Sequence, residues 1–140
     1  MANYWLFKSE PEVWSWEQQK AKGAAGEEWT GVRNYQARNH MRAMKLGEKG
    51  FFYHSNDGRA VVGIVEVSKL AHRDSTSDAD TWECVDIRAV ADMPRPVTLD
   101  EIKADPKLKD MVLVKNSRLS VQPVSAAEFR HICKLGGAKV

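Results

Sequence analysis

The chain has 140 residues, 43% of them hydrophobic and 29% charged, with 21 Lys and Arg against 19 Asp and Glu. This balance fits one ordinary globular domain, spanning 1–140, and excludes a disordered, fibrous or membrane-spanning chain. A net charge of +2 excludes a strongly basic coat for non-specific nucleic-acid binding but leaves room for a local patch.

Ten of the twelve aromatic residues lie in the first 55 positions. The first of them, Tyr4, Trp5 and Phe7, predict a strand over Asn3 to Lys8, buried on both faces because apolar and polar residues do not alternate there. Ser9 and Glu12 have capping-box spacing, and Pro11 suits a first turn, so a helix is expected from Val13 towards Gly23. Trp14 and Trp16 are two apart and cannot share one helix face, which puts one in the core and the other on the surface or lining a groove. After a Gly- and Ala-rich loop, Asn34 is placed to cap a second helix, Tyr35 to Lys45, with Ala37, Met41 and Met44 as its buried stripe.

Two β-rich runs, Lys49 to Ser55 and Ala60 to Leu70, flank Asn56-Asp57-Gly58-Arg59, a hairpin signal. Trp82 to Val90 alternates as a further strand ending at Met93-Pro94-Arg95-Pro96. Thr98 and Glu101 cap a short helix; Leu108 to Val114 is compatible with helix or strand. Arg118 to Val124 reads as an edge or terminal strand because of Pro123, and Ser125 and Glu128 cap a last helix, Ala126 to Leu135. The order β-α-α-β-β-β-α-β-α, with its strands clustered centrally, predicts an α+β fold whose mixed, mainly antiparallel sheet curls towards a small barrel. No apolar run approaches the roughly 20 residues of a membrane span, and the start lacks the pattern of a secretory signal, so a cytoplasmic location is expected.

Catalytic and metal signatures are sparse. Cys84 and Cys133 form no Cys-x-x-Cys, His40, His54, His72 and His131 form no His-x-x-x-His pair, and the chain has no P-loop or Gly-x-Ser-x-Gly. No metal or other cofactor is therefore expected, and the two thiols read as buried small hydrophobes. Residues 74–110 hold ten of the nineteen acids and read as a solvated face.

The informative stretch is Trp29 to Asn39, with Lys8 to Pro11 before it and Phe52 to Asn56 after it. A tryptophan just before a helix start, beside Arg33 and Lys8, combines a flat π-surface with amide and cationic donors. That suits a single-stranded or extruded base and its phosphate, since stacking is worth ~1–3 kcal/mol per base. The competing reading makes Tyr4, Trp5, Phe7, Phe51 and Phe52 core rings and gives Trp29 and Arg33 no binding role.

Tyr4 to Pro11, Trp29 to Asn39, Phe51 to Asn56, Val61 to Val67 and Arg118 to Val124 together resemble an EVE domain over essentially the whole chain. The loop Asp74 to Asp78 stands where the family pattern is richer in proline. EVE domains are similar to PUA-like folds and to YTH domains, which read a methylated base in an aromatic cage. The resemblance implies a PUA-like pseudo-barrel flanked by helices, and a nucleic-acid reader, not an enzyme, that accommodates a modified cytosine in DNA or a modified RNA base.

On that reading Trp29 stacks on the base, with Tyr35 or Trp82 as a second wall. Gly31, Val32 and Asn34 offer hydrogen bonds at the helix start, and Lys8, Arg33 and Arg38 hold phosphates. His54, Ser55 and Gln122 approach the base edge, while Ser9, Glu10 and Asn56 line the opening. A monomer or weak dimer with no membrane partner is expected. Two rival readings stand: an enzyme of nucleotide or RNA modification using Glu10 with His54 or Ser55, and a protein-interaction module with a vestigial pocket.

Overall fold

The structure, a computed structural model, describes residues 3–56, 58–116 and 118–138. Its elements in chain order are β1 (Tyr4–Ser9), α1 (Trp16–Ala21), a short 3-10 turn (Gly23–Ala25), β2 (Glu27–Glu28), α2 (Tyr35–Ala43), β3 (Lys49–His54), β4 (Ala60–Arg73), β5 (Glu83–Thr98), α3 (Leu99–Ala104), α4 (Val112–Lys115), β6 (Val121–Val124) and α5 (Ala126–Gly136).

The strands form one six-stranded sheet in the order β2-β5-β4-β3-β1-β6. All its pairings are antiparallel except β1 with β3, which run parallel from Tyr4 opposite Lys49 to Ser9 opposite His54. This is the α+β architecture expected. The sheet is left open, with β2 and β6 as its edges.

Both faces of the sheet are covered, which explains the poor alternation of β1. Trp5 and Phe7 turn to one face, where they join Trp16, Trp29, Phe52, Val65, Ile87 and the α2 residues Ala37 and Met41. Leu6 turns to the other and packs with Phe51, Tyr53, Ile64, Ile102 of α3 and Phe129 of α5. Fully burying one such side chain contributes about 1.5–3 kcal/mol, so this interior strand is held strongly from two sides.

The capping residues act where the sequence placed them in three helices. Asn34 accepts from the Ala37 amide at 2.9 Å, Thr98 from Glu101 at 3.2 Å, and Ser125 from Glu128 at 3.1 Å. The first helix differs. Ser9 stays in β1 and its hydroxyl donates to the Trp14 carbonyl at 2.6 Å, so the capping box shifts to Ser15 and Gln18 and the helix begins at Trp16. Val13 and Trp14 then belong to a turn closed by their amides on the Glu10 carbonyl.

β5 also runs further than expected, through Pro94 and Pro96. The β4 register jumps there, Val61 facing Val97 and Gly63 facing Asp92, so both prolines fall where the ladder is interrupted and no amide is required of them. The open segment after α3 resolves into a turn and the short helix α4. The hairpin after β3 is present; its Asp57 lies outside the described residues. Among the described residues no helix is long and apolar enough to cross a membrane.

Candidate functional site

The end of β1 and the chain leading into α2 enclose a cavity of about 590 Å³, within the range of small-ligand sites. Lys8, Ser9, Glu10, Trp29, Gly31, Val32 and Arg33, seven of the residues singled out from the sequence, line it. Val13, Trp14, Glu27, Glu28, Thr30, Ser75, Thr76 and Ser120 complete the wall.

Trp29 is not a loop residue in the usual sense. β2 pairs with β5 through Glu27 opposite Ile87 and Glu28 opposite Asp86, and the Trp29 amide extends that ladder onto the Val85 carbonyl at 2.9 Å. Its ring turns inward, edge-on to Phe7 at 5.3 Å and to Phe52 at 5.6 Å, and is 7% exposed. The indole is thus both a core ring and a piece of cavity wall, and its place in the core is a finding of the structure.

The second indole at the cavity is Trp14. The Glu10 turn sets its position, and its Nε1 donates to Gln19 Oε1 at 3.0 Å. Gln19 is fully buried and donates in turn to the Ile87 carbonyl at 3.0 Å, so the orientation of the ring is fixed through the sheet. Trp16 is the core member of the pair; its Nε1 donates to Asp92 at 2.8 Å.

One buried carboxylate organises the rim. Asp74, just beyond β4, accepts from the Gly31 amide at 2.8 Å, from Arg33 at 3.2 Å, and from the Thr76 amide and hydroxyl at 2.8 and 2.6 Å. Burial alone would raise its carboxyl, but the donors from Thr76, Gly31 and Arg33 outweigh it and hold the group below the usual carboxylate range. The expectation of a solvated acidic face therefore fails at this residue. A salt-bridged Arg33, also bonded to Thr76 and 5.6 Å from the Trp82 ring, is committed to the rim.

Tyr35 and Trp82 pair with each other at 4.9 Å outside the cavity lining, with Arg38 stacked on Tyr35 at 4.9 Å. Tyr35 is 60% exposed. Asn34 spends its side chain on the helix cap, and Gln122, wholly buried, donates to the Leu119 carbonyl. His54 accepts at Nε2 from the Trp16 amide at 3.0 Å, and burial lowers its pKa against the opposing charge of Glu12. Ser55 and Asn56 line a second pocket of about 400 Å³ with Tyr53 and Arg59, and Lys8 lines both. Glu10, His54 and Ser55 are thus not gathered around one cavity.

Lys8 lies 6.0 Å from the Tyr53 ring, and burial lowers its pKa. The main cavity brings Glu10, Glu27 and Glu28 close to Lys8 and Arg33, a mixed lining that favours a polar, neutral guest over a phosphate. Both thiols are buried, as expected, and burial pushes Cys133 up to about 11. Strand pairing also brings Glu28, His72 and Cys84 together, which no sequence spacing announced.

The fold and the site define an α+β domain with a helix-covered, mainly antiparallel sheet and an indole-lined cavity at the end of its first strand. The EVE domain model matches residues 3–135, and the chain belongs to the EVE domain family. Mouse thymocyte nuclear protein 1 is 38% identical, over 96% of this chain and 74% of its own length. An Agrobacterium tumefaciens crystal structure is 67% identical, with a TM-score of 0.96 over 98% of this chain and 94% of that one. Human THYN1, solved in complex with 5-methylcytosine containing DNA, is 37% identical, with a TM-score of 0.91 over 99% of this chain and 100% of that one. A YTH domain of Zygosaccharomyces rouxii, complexed with N6-methyladenosine RNA, shares the fold alone, with a TM-score of 0.59 at 20% identity over 99% of this chain and 88% of that one.

Proposed function

We propose that this EVE domain is a reader of a modified base in nucleic acid, with 5-methylcytosine in DNA as the leading guest, acting through one domain and without catalysis. The observation that carries the reading is the cavity itself: Trp14 and Trp29 supply aromatic walls, and Val13 and Val32 supply apolar surface for a ring and its methyl group. Support comes from the human relative solved with 5-methylcytosine containing DNA. A carboxylate among Glu10, Glu27 and Glu28 accepts from the exocyclic amino group of cytosine, as Asp and Glu do in base recognition.

The same carboxylates keep phosphates out of the cavity, so the backbone passes outside it, beside Lys8 and the second pocket with Arg59. Selectivity for the methyl group is modest, because one methyl-sized contact is worth ~1–3 kcal/mol. The site of action follows the nucleic acid, in the cytoplasm by the sequence expectation, whereas the vertebrate relatives carry the word nuclear in their name. The test is an affinity panel at fixed salt: oligonucleotides with one 5-methylcytosine, the same sequence unmodified, and RNA bearing N6-methyladenosine. Tighter binding of the 5-methylcytosine strand supports the reading; equal affinity for all three overturns it.

A further inference from the structure

We infer that Glu28, His72 and Cys84 form a binding site for a zinc-like divalent cation on the sheet beside the cavity. Three adjacent strands deliver the donors: Cys84 faces His72 across the β4–β5 ladder, and Glu28 faces Asp86 across the β2–β5 ladder. One carboxylate oxygen, one imidazole nitrogen and the sulfur lie within 4.8 Å of one another. Glu28 Oε1 is 3.9 Å from Cys84 Sγ and 3.9 Å from His72 Nδ1. Ligand atoms around a tetrahedral zinc lie roughly 3.3–3.6 Å apart, given bonds of about 2.0–2.3 Å, so the set closes on an ion with small side-chain movements.

The atoms turned away from the site are already held. His72 Nε2 bonds Asp86 Oδ1 at 2.7 Å, and Glu28 Oε2 accepts from the Ser75 hydroxyl at 2.8 Å. Outer partners of this kind orient metal ligands, and a carboxylate on the far nitrogen of a histidine is one of the recurring ones. Nδ1 exchanges its 2.9 Å contact with the Arg73 carbonyl for the ion.

A thiol, an imidazole and a carboxylate select zinc, cobalt or another borderline cation over magnesium or calcium. Burial, with Asp74, Glu28 and Asp86 around it, pushes the Cys84 thiol up to about 12. Binding therefore releases two protons to solvent, that of the thiol as the sulfur–metal bond forms and that of His72 Nδ1, held on the Arg73 carbonyl, as the nitrogen–metal bond forms. Glu28 also lines the cavity, so the ion ties β2 and the Trp29 wall to β4 and β5.

Cobalt(II) is the probe, added to the whole chain after chelator treatment and read by thiolate-to-cobalt charge-transfer absorption in the near ultraviolet. The expected result is a band that saturates at one equivalent, collapses on zinc addition, persists in Cys133→Ser and is absent from Cys84→Ser. Asp86→Asn should keep the band with cobalt affinity lowered about 10–100-fold. No band in the wild-type protein, or one that survives Cys84→Ser, overturns the assignment. The wild-type titration read beside Cys133→Ser decides the matter even if Cys84→Ser fails to fold, and its outcome is independent of nucleic-acid binding.

Discussion

The Asp74 carboxylate accepts the Gly31 amide at 2.8 Å from a position that is 1% exposed, stitching the loop after β4 to the chain that carries Trp29 into α2. Four donors converge on this one side chain. Asp74→Ala leaves Gly31, Arg33 and Thr76 without their acceptor and is expected to cost about 1–3 kcal/mol. Urea unfolding measures that cost, and oligonucleotide binding should weaken with it because the cavity rim loosens.

Trp14 and Trp29 separate stability from binding. Trp29 is wedged between Phe7 and Phe52, and Trp29→Ala should lose about 3–5 kcal/mol of stability whatever its effect on binding. Trp14 is only half-buried, and Trp14→Ala should weaken binding by roughly 1–3 kcal/mol while unfolding far less readily. Paired titration and thermal melts of the two variants check this ordering.

Gly63 sits under α1. A Cβ there would overlap the Trp16 ring, whose indole also holds Asp92. Gly63→Ala is expected to destabilise by about 1–3 kcal/mol through overpacking and to displace α1. Calorimetry gives the loss, and near-ultraviolet circular dichroism reports the displaced indole.

His54 couples α1 to pH. Its imidazole accepts the Trp16 amide, and burial lowers its pKa below the ordinary value of about 6.5. Below that pH the unfolded chain binds more protons than the folded one at this residue, so its contribution to stability falls as pH drops through about 6.5 and levels off beneath the folded value. His54→Gln keeps an acceptor without the titration and should show a shallower loss of stability between about pH 7 and 5 than the wild type. Denaturant midpoints across that range provide the comparison.

Local chemistry made much of the fold legible in the sequence. The caps at Asn34, Thr98 and Ser125 and the hairpin after β3 depend on residues close in the chain, and the burial of β1 on both faces shows in the unalternating apolar run of the strand itself. The shifted start of α1 was hidden because Ser9 and Ser15 both carry capping-box spacing, and only pairing with β3 keeps Ser9 in a strand. β2 is too short to leave a pattern of its own, and β5 passes two prolines that a ladder interruption excuses.

The cavity was half legible. Trp29, Arg33 and Lys8 are conspicuous by type and position, whereas Ser75 and Thr76 reach it only through the Asp74 contact across the fold. Trp14 was marked as one of two candidates for a groove, and the Gln19 bond decides between them. Tyr35 and Trp82 pack against each other outside the cavity lining.

Indole N–H resonances test the central claim most directly. With the five tryptophans resolved by two-dimensional NMR, an oligonucleotide carrying one 5-methylcytosine is titrated beside its unmodified twin. The expected result is that the Trp14 and Trp29 signals shift with the modified strand, more strongly than with the twin, while Trp5 and Trp16, bonded to Glu48 and Asp92, hold still. If both strands move the same signals equally, or if Trp14 and Trp29 stay unmoved at saturation, the cavity is not where a modified base is read.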